Sequence, residues 1–449
     1  MKKRQLRWMK LDNAAKLYPA TKRQGWSNIF RLSVTLDEEI RPQILQAALD
    51  SVIIRFPSIA VRVRRAVFWY YLEEIPRAPE IIPDHNYPLT HMPFDDILKC
   101  AFRVLYYKKR IAVEFFHAIA DGNSGLIFLK TLAAEYLRLS RGVEIPCTQG
   151  VFDITEAPKE EELSDDFPKY SGRVSKSRSE ATSFQLKGTP ESMGFRNILV
   201  AELDSNEVLA LSRSHGVTLT EFMVAVMISA FLELQEERVP DYKRKPVKVL
   251  VPVNLRRLFK SVTLRNFVLY VTPGVDPQLG KYELDEIIKE VHYQMSLEIT
   301  PKKMASRIRS NVKMEQMKMI RILPLFIKNM GMKLVYDLTG EKKSCITMSN
   351  LGVVRVPEEM QPHVERFGFT LGLQRTSPNN CGMISYGGKL YIAMIRNIKE
   401  PVLEQKFLLK LRDLGLHIKL ESNYCHNTAD AGNDKYNEND KAPDKEEGR

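Results

Sequence analysis

Apolar residues recur along this chain with two periods, and the changes from one to the other mark out its elements. Ile29 to Leu36 reads as a strand, Asp37 to about Ile54 as a helix, and Ile59 to Val67 as a second strand. The helix must stop at Phe56-Pro57, because proline has no N–H to continue the bonding and disfavours helix at the residue before it. Two apolar runs, Arg103 to Tyr107 and Ile111 to about His117, flank Lys108-Lys109-Arg110 and predict a β-hairpin. Beyond it, Asn123 or Ser124 is the expected N-cap of a helix carrying Leu126, Leu129, Ala133, Tyr136 and Leu137 at helical spacing, with Gly142 just past its end. His117 therefore lies at a strand end, four residues before Asp121, with Gly122 to ease a strand-to-helix corner that a β-carbon would obstruct.

Asp153 to Thr182 is rich in Glu, Lys, Ser and Asp and poor in apolar residues, so it is expected to bury little surface and to connect two lobes. The second half resumes with a strand from Phe195 to Leu203, a helix from Ser205 to Ser214 stopped by Gly216, and a capping box, Thr218 with Glu221, opening a helix to about Glu236. Strands are expected over Lys248 to Asn254, Phe267 to Thr272 and Cys345 to Ser349, the last leading into Asn350-Leu351-Gly352. Tyr282 to Asp337 has helical patterning and many methionines, among them Met304, Met314, Met317, Met319, Met330 and Met332, which either fill core or line a pocket. Within it, Ile320 to Leu334 mixes apolar residues with Arg321, Lys328 and Lys333 in the manner of a membrane-surface helix, but Pro324 interrupts it. Phe367 to Leu373, Gly382 to Tyr386 and Lys389 to Arg396 read as three further strands with a Gly387-Gly388 turn, followed by a helix from about Val402 to Leu414. The polar segment 426–449 is expected to be disordered. These boundaries predict a first lobe over 1–152, a connection over 153–182, a second lobe over 183–425 and a tail over 426–449. No sequence repeat of fixed period links the lobes.

Composition narrows the function. A chain of 449 residues, 44% hydrophobic and 27% charged, can bury a large core as two domains or one two-lobed body. No stretch approaches about 20 uninterrupted apolar residues, and the basic amino terminus has no apolar run behind it, so no transmembrane segment is expected and the cytoplasm is the expected location. Five cysteines, Cys100, Cys147, Cys345, Cys381 and Cys425, are scattered singly, which predicts neither a disulfide framework nor a metal site; Cys425-His426 lacks a second pair of ligands. A net charge of +12 raises nucleic acid, a membrane surface and a phosphorylated cofactor as partners. The cations are spread along the chain without the aromatic interleaving of a single-strand binder, so nucleic acid is not expected.

His117 carries the candidate chemistry. An imidazole with an ordinary pKa near 6.5 takes and returns a proton near neutrality once its orientation is fixed, and Asp121 is placed to fix it. His117-Ala118-Ile119-Ala120-Asp121-Gly122 resembles the His-x-x-x-Asp-Gly signature of the coenzyme A-dependent acyltransferase superfamily, which includes chloramphenicol acetyltransferase, plant acyltransferases, peptide-synthetase condensation domains and alcohol acetyltransferases. LQAALDSVIIRFP followed by VRVRRAVFWYYLEE resembles the opening of bacterial alcohol acetyltransferase-like proteins. Phe116 stands where condensation domains usually carry a second His, and the Asp-Phe-Gly-x-Gly box of the plant branch is missing.

The resemblance implies an α/β fold of two lobes, with mixed sheets flanked by helices and an active-site tunnel between them. It implies that His117 is a general base, that Asp121 is structural, and that Arg256, or alternatively Arg257, pairs with Asp121 from the VPVNLR segment. It places Ser349 and Asn350 of TMSNLG near the site, where they are candidate donors to an oxyanion, although Ser, Asn and Gly equally suit a plain strand-ending turn. The implied co-substrate is acyl-CoA, with a small hydroxyl acceptor and no metal or prosthetic group. A carrier-protein thioester as donor, and a catalytically silent module of the same fold, stay open as alternatives.

Overall fold

The computed structural model describes residues 6–12, 15, 28–85, 88–172, 182–191, 194–316, 324–325, 327–330, 341–373 and 377–423. The tail 426–449, the Cys425-His426 pair and Met317, Met319 and Met332 lie outside them, as does most of 320–334.

Alternating apolar residues build the first lobe. Its strands are β1 (Trp8–Lys10), β2 (Ile29–Leu36), β3 (Val61–Arg65), β4 (Tyr70–Glu74), β5 (Ile82–Pro83), β6 (Phe102–Tyr107) and β7 (Arg110–Phe116). Its main helices are α1 (Pro42–Val52) and α2 (Gly122–Arg141). α1 starts later than Asp37 because Pro42 occupies its first turn, where the missing N–H costs nothing, and Arg41 is the extended N-cap. α2 closes on Gly142 in the left-handed conformation, as its sequence predicts.

The second lobe runs through β8 (Asn197–Asp204), α3 (Ser205–Ser214), α4 (Leu219–Arg238), β9 (Val247–Asn254), β10 (Val268–Val271), β11 (Gly274–Val275), α5 (Leu284–Glu298) and α6 (Pro301–Gln316). It continues with β12 (Ile346–Val353), β13 (Val364–Thr370), β14 (Asn379–Tyr386), β15 (Lys389–Arg396), α7 (Val402–Asp413) and β16 (Lys419–Ser422). The capping box on α4 forms in both directions, with Glu221 N donating to Thr218 Oγ1 and Thr218 N to Glu221 Oε2. Among the described residues no single helix is long and apolar enough to cross a membrane.

Three sheets result: a small one, β1-β4-β3; a five-stranded one, β13-β2-β7-β6-β5; and a larger one, β10-β9-β12-β14-β15-β8-β16, with β11 also on β9. β12 pairs in parallel with both β9 and β14, whereas β14, β15, β8 and β16 pair antiparallel, so the large sheet is mixed. The strand expected over Phe367 to Leu373 is β13, and it does not join the other two closing strands. It crosses to pair antiparallel with β2 on the edge of the first lobe's sheet.

The large sheet serves two cores because strand side chains alternate. Leu390, Ile392 and Met394 of β15 face the core built on α4, α5 and α7, while Tyr391 and Ile395 face the core shared with α1, α2 and β2. Gly382 of β14 lies at a close approach of the two sheets, since a Cβ there would lie 2.6 Å from the carbonyl oxygen of Phe369 on β13. The connection also differs from expectation. Glu162 is buried in a two-bond pair with Arg55, at 2.6 and 2.9 Å, and Phe167 is fully buried against Phe267. Its polar composition conceals ionic and aromatic anchors, these two among them.

Candidate active site

β7 ends at Phe116, and the pairing with β2 carries one residue further, with His117 N donating to Asn28 O at 2.7 Å. That bond fixes the backbone at the strand end, and the edge of Phe30 on β2 meets the imidazole with ring centroids 5.1 Å apart. The His117 carbonyl accepts from Asn266 Nδ2 at 2.9 Å. Burial pushes the imidazole's pKa below its ordinary value, against smaller opposing effects from its own carbonyl, the Asp121 carboxylate and a hydrogen bond with Asn266. The net effect favours the neutral ring.

Asp121, not Asn123 or Ser124, is the N-cap of α2. Its Oδ1 accepts from Ser124 N at 3.0 Å and from Ser124 Oγ at 3.1 Å, and its Oδ2 accepts from Arg256 Nη1 at 2.7 Å and from Phe267 N at 3.0 Å. Burial alone raises a carboxyl's pKa, but Arg256 and these donors outweigh it and hold Asp121 below the ordinary value. Both carboxylate oxygens are thus engaged, and the lowered pKa favours the ionised form.

Arg256 occupies a short helix, Leu255–Phe259, capped by Asn254. Every N–H of its guanidinium meets an acceptor: Nε the Thr263 carbonyl at 2.6 Å, Nη1 Asp121 and Asn254 Oδ1, and Nη2 Ser124 Oγ at 2.9 Å and the Arg265 carbonyl. Arg257, the alternative, is exposed. The ion pair spans 135 residues and joins the start of α2 to the end of β9.

Gly122 has no left-handed φ, so its value at the corner is space and not a turn. A Cβ there would lie 2.7 Å from Leu351 Cδ2, which brings the TMSNLG segment against the first turn of α2. That segment belongs to β12, which extends to Val353 and bulges between Asn350 and Val353. Ser349 is buried; the Asn350 amide donates to Thr220 Oγ1 at 3.0 Å and its oxygen accepts from Gly352 N at 2.8 Å.

Sequence reasoning missed Asn266, and with it the loop Thr263 to Phe267 that touches His117, Asp121 and Arg256 in turn. The signal available was a polar residue, Asn266, wedged between Leu264 and Phe267 just before a strand. Burial pushes Cys100 and Cys345 up to about 12 and Cys381 higher still, which disfavours these three as nucleophiles. Among the described residues no three His, Cys, Asp or Glu side chains are grouped to hold a metal ion.

No protein-family model and no curated protein matches the chain by sequence. Solved structures match it by fold along nearly its whole length. A trichothecene 15-O-acetyltransferase from Fusarium sporotrichioides is similar at a TM-score of 0.58 and 12% identity, covering 91% of this chain and 94% of that one. TRI101 of F. sporotrichioides, solved with coenzyme A and T-2, is similar at 0.60 and 10% identity over 93% and 100%. The first condensation domain of the CDA synthetase is similar at 0.56 and 15% identity over 91% and 96%. This two-lobed α/β chain therefore has the fold of the coenzyme A-dependent acyltransferases and condensation domains.

Proposed function

We propose that this protein transfers an acyl group, most simply acetyl, from acyl-CoA to an alcohol, with His117 as general base. The observation that carries this reading is the half-buried imidazole, its pKa lowered, held at a strand end beside a saturated Asp121–Arg256 pair. The acceptor hydroxyl gives its proton to the ring as its oxygen attacks the thioester carbonyl carbon. The tetrahedral oxyanion collapses, the C–S bond breaks, and the departing thiolate takes the proton back from His117. A C–O bond replaces the C–S bond, and the ring ends as it began. Ser349 and Asn350 are the proposed oxyanion donors.

A carrier-protein thioester as donor is the second reading, supported by the fold shared with the CDA condensation domain. Phe116, buried beside His117, stands against it, since condensation domains usually carry a second His there. Free-thiol release from acetyl-CoA across a panel of alcohols tests the proposal. His117→Ala should keep the fold and lose about 10²–10⁴-fold in turnover. Full turnover in a folded His117→Ala protein would remove the assignment, and transfer only from a carrier-bound thioester would favour the second reading.

A further inference from the structure

The turn between β3 and β4 is built from residues that no hairpin requires. Ala66 N donates to Trp69 O at 2.9 Å, which leaves Val67 and Phe68 as the two tip residues. Tight hairpin tips favour Asn and Gly, because their usual turns need positive φ. Neither Val67 nor Phe68 adopts positive φ, and neither packs away: Val67 is 70% exposed, Phe68 40% and Trp69 47%. A short helical segment, 327–330, lies against this tip through Leu325 N on the Val67 carbonyl and Lys328 Nζ on the Phe68 carbonyl, at 3.0 and 2.9 Å. It adds Met330, 71% exposed, to the same end of the lobe. Large apolar side chains from two segments thus project into water where polar ones would serve the fold equally well.

The charge around them is positive. Lys328 holds its ammonium 5.6 Å from the centre of the Trp69 ring, and exposed Arg65 lies behind the tip against Phe94. On the outer face of the same small sheet, Lys10, Tyr71 and Arg64 form one cross-strand row and Trp8, Glu73 and Arg62 the next. Glu73 is the carboxylate of that face and is neutralised by both Arg62 and Arg64, at 2.6 and 2.9 Å. Asp95 and Asp96 lie beyond Phe94, next to Lys99. An apolar tip crowned by an indole and backed by a basic sheet is the pattern of a surface that meets acyl chains with its point and lipid phosphates with its flanks.

We propose that the Val67-Phe68-Trp69 tip docks this protein on an anionic membrane surface, seated at the boundary between headgroups and acyl chains, with Lys328 and the sheet arginines against the phosphates. The inference is independent of the acyl-transfer reading. The full chain should sediment with vesicles of phosphatidylcholine and phosphatidylserine, less with phosphatidylcholine alone, and less as salt rises. In a Trp8→Phe/Trp26→Phe background, Trp69 emission should shift to the blue on anionic vesicles. Val67→Ser/Phe68→Ser/Trp69→Ser should weaken partitioning by about tenfold or more with an unchanged melting temperature. Failure of the unmodified chain to bind anionic vesicles overturns the proposal, as does undiminished binding by the triple variant. A dimer that the triple variant converts to monomer would assign the tip to a second copy of the chain instead, which also overturns it.

Discussion

Arg31 and Arg256 are both buried arginines tied to carboxylates, yet they do opposite work in the fold. Arg31 on β2 faces Glu114 on β7, and Glu114 in turn faces Arg103 on β6, so the three form one cross-strand row fixed by register. Asp84 beside them takes both Arg31 and Arg110. Each carboxylate in this ladder has two guanidinium partners, and all of it belongs to one sheet and its margin. Among the described residues Asp121 has a single ion-pair partner, Arg256, which comes from the other lobe. The first network is redundant and local; the second is singular and ties the two lobes together four residues from His117.

The contrast is broken most sharply by paired deletions. Arg256→Met should leave Asp121 buried without its counter-charge at a cost of about 3–5 kcal/mol, and turnover per folded molecule should also fall because the loop beneath His117 loses its anchor. Arg31→Met should cost less, since Arg103 and Arg110 still face the two carboxylates, and turnover per folded molecule should be retained. Denaturant titrations and rates normalised to folded protein measure both, and equal loss of turnover in the two variants would sink the distinction.

Asn266→Ala should have the next largest effect. It strands the His117 carbonyl, at about 1–3 kcal/mol, and lowers kcat by about tenfold with little change in donor KM. Because its hydrogen bond raises the imidazole's pKa, its removal should also move the acidic limb of the rate profile to lower pH. A merely structural role would leave that midpoint in place.

The pH response of the unmodified protein sharpens the same point. Burial lowers the pKa of His117, so the activity limb should lie below the ordinary histidine value of 6.5. Below that value the unfolded chain binds the proton more readily than the folded one, so stability should decline as pH falls, and His117→Ala should flatten this slope. Asp121, also lowered, contributes stability that is present above its ordinary 3.8 and lost as pH falls through its folded value. The Arg31 ladder should show no coupling to the rate profile. The smallest effect is expected from Gly122→Ala, where only a terminal methyl of Leu351 must give way, at about 1 kcal/mol, with Leu351→Ala relieving it in a melting experiment.

The elements themselves were readable along the chain wherever one segment carries its own period or cap. β2, α3, the Thr218–Glu221 box and the Gly142 stop depend on neighbours within a few residues, and they form where the pattern puts them. His117 at its corner was readable for the same reason, since strand, turn and helix adjoin in sequence. The resemblance to a known signature, and not any local pattern, singled out Arg256 over the other arginines. Composition misjudged the connection because a few residues, Glu162 on Arg55 and Phe167 on Phe267 among them, anchor it, and an average over thirty residues hides them.

What no local pattern carries is which surfaces meet. β13 has the alternation of any strand, and its transfer to the edge of β2 follows from the open hydrogen bonds there and from the close approach that Gly382 permits. Asn266 reads as an ordinary loop residue until β10 and the end of β7 are packed together and its amide reaches the His117 carbonyl. Periodicity is a property of a segment and survives in the sequence, whereas a contact across 135 or 149 residues exists only after two cores have formed and been set against each other.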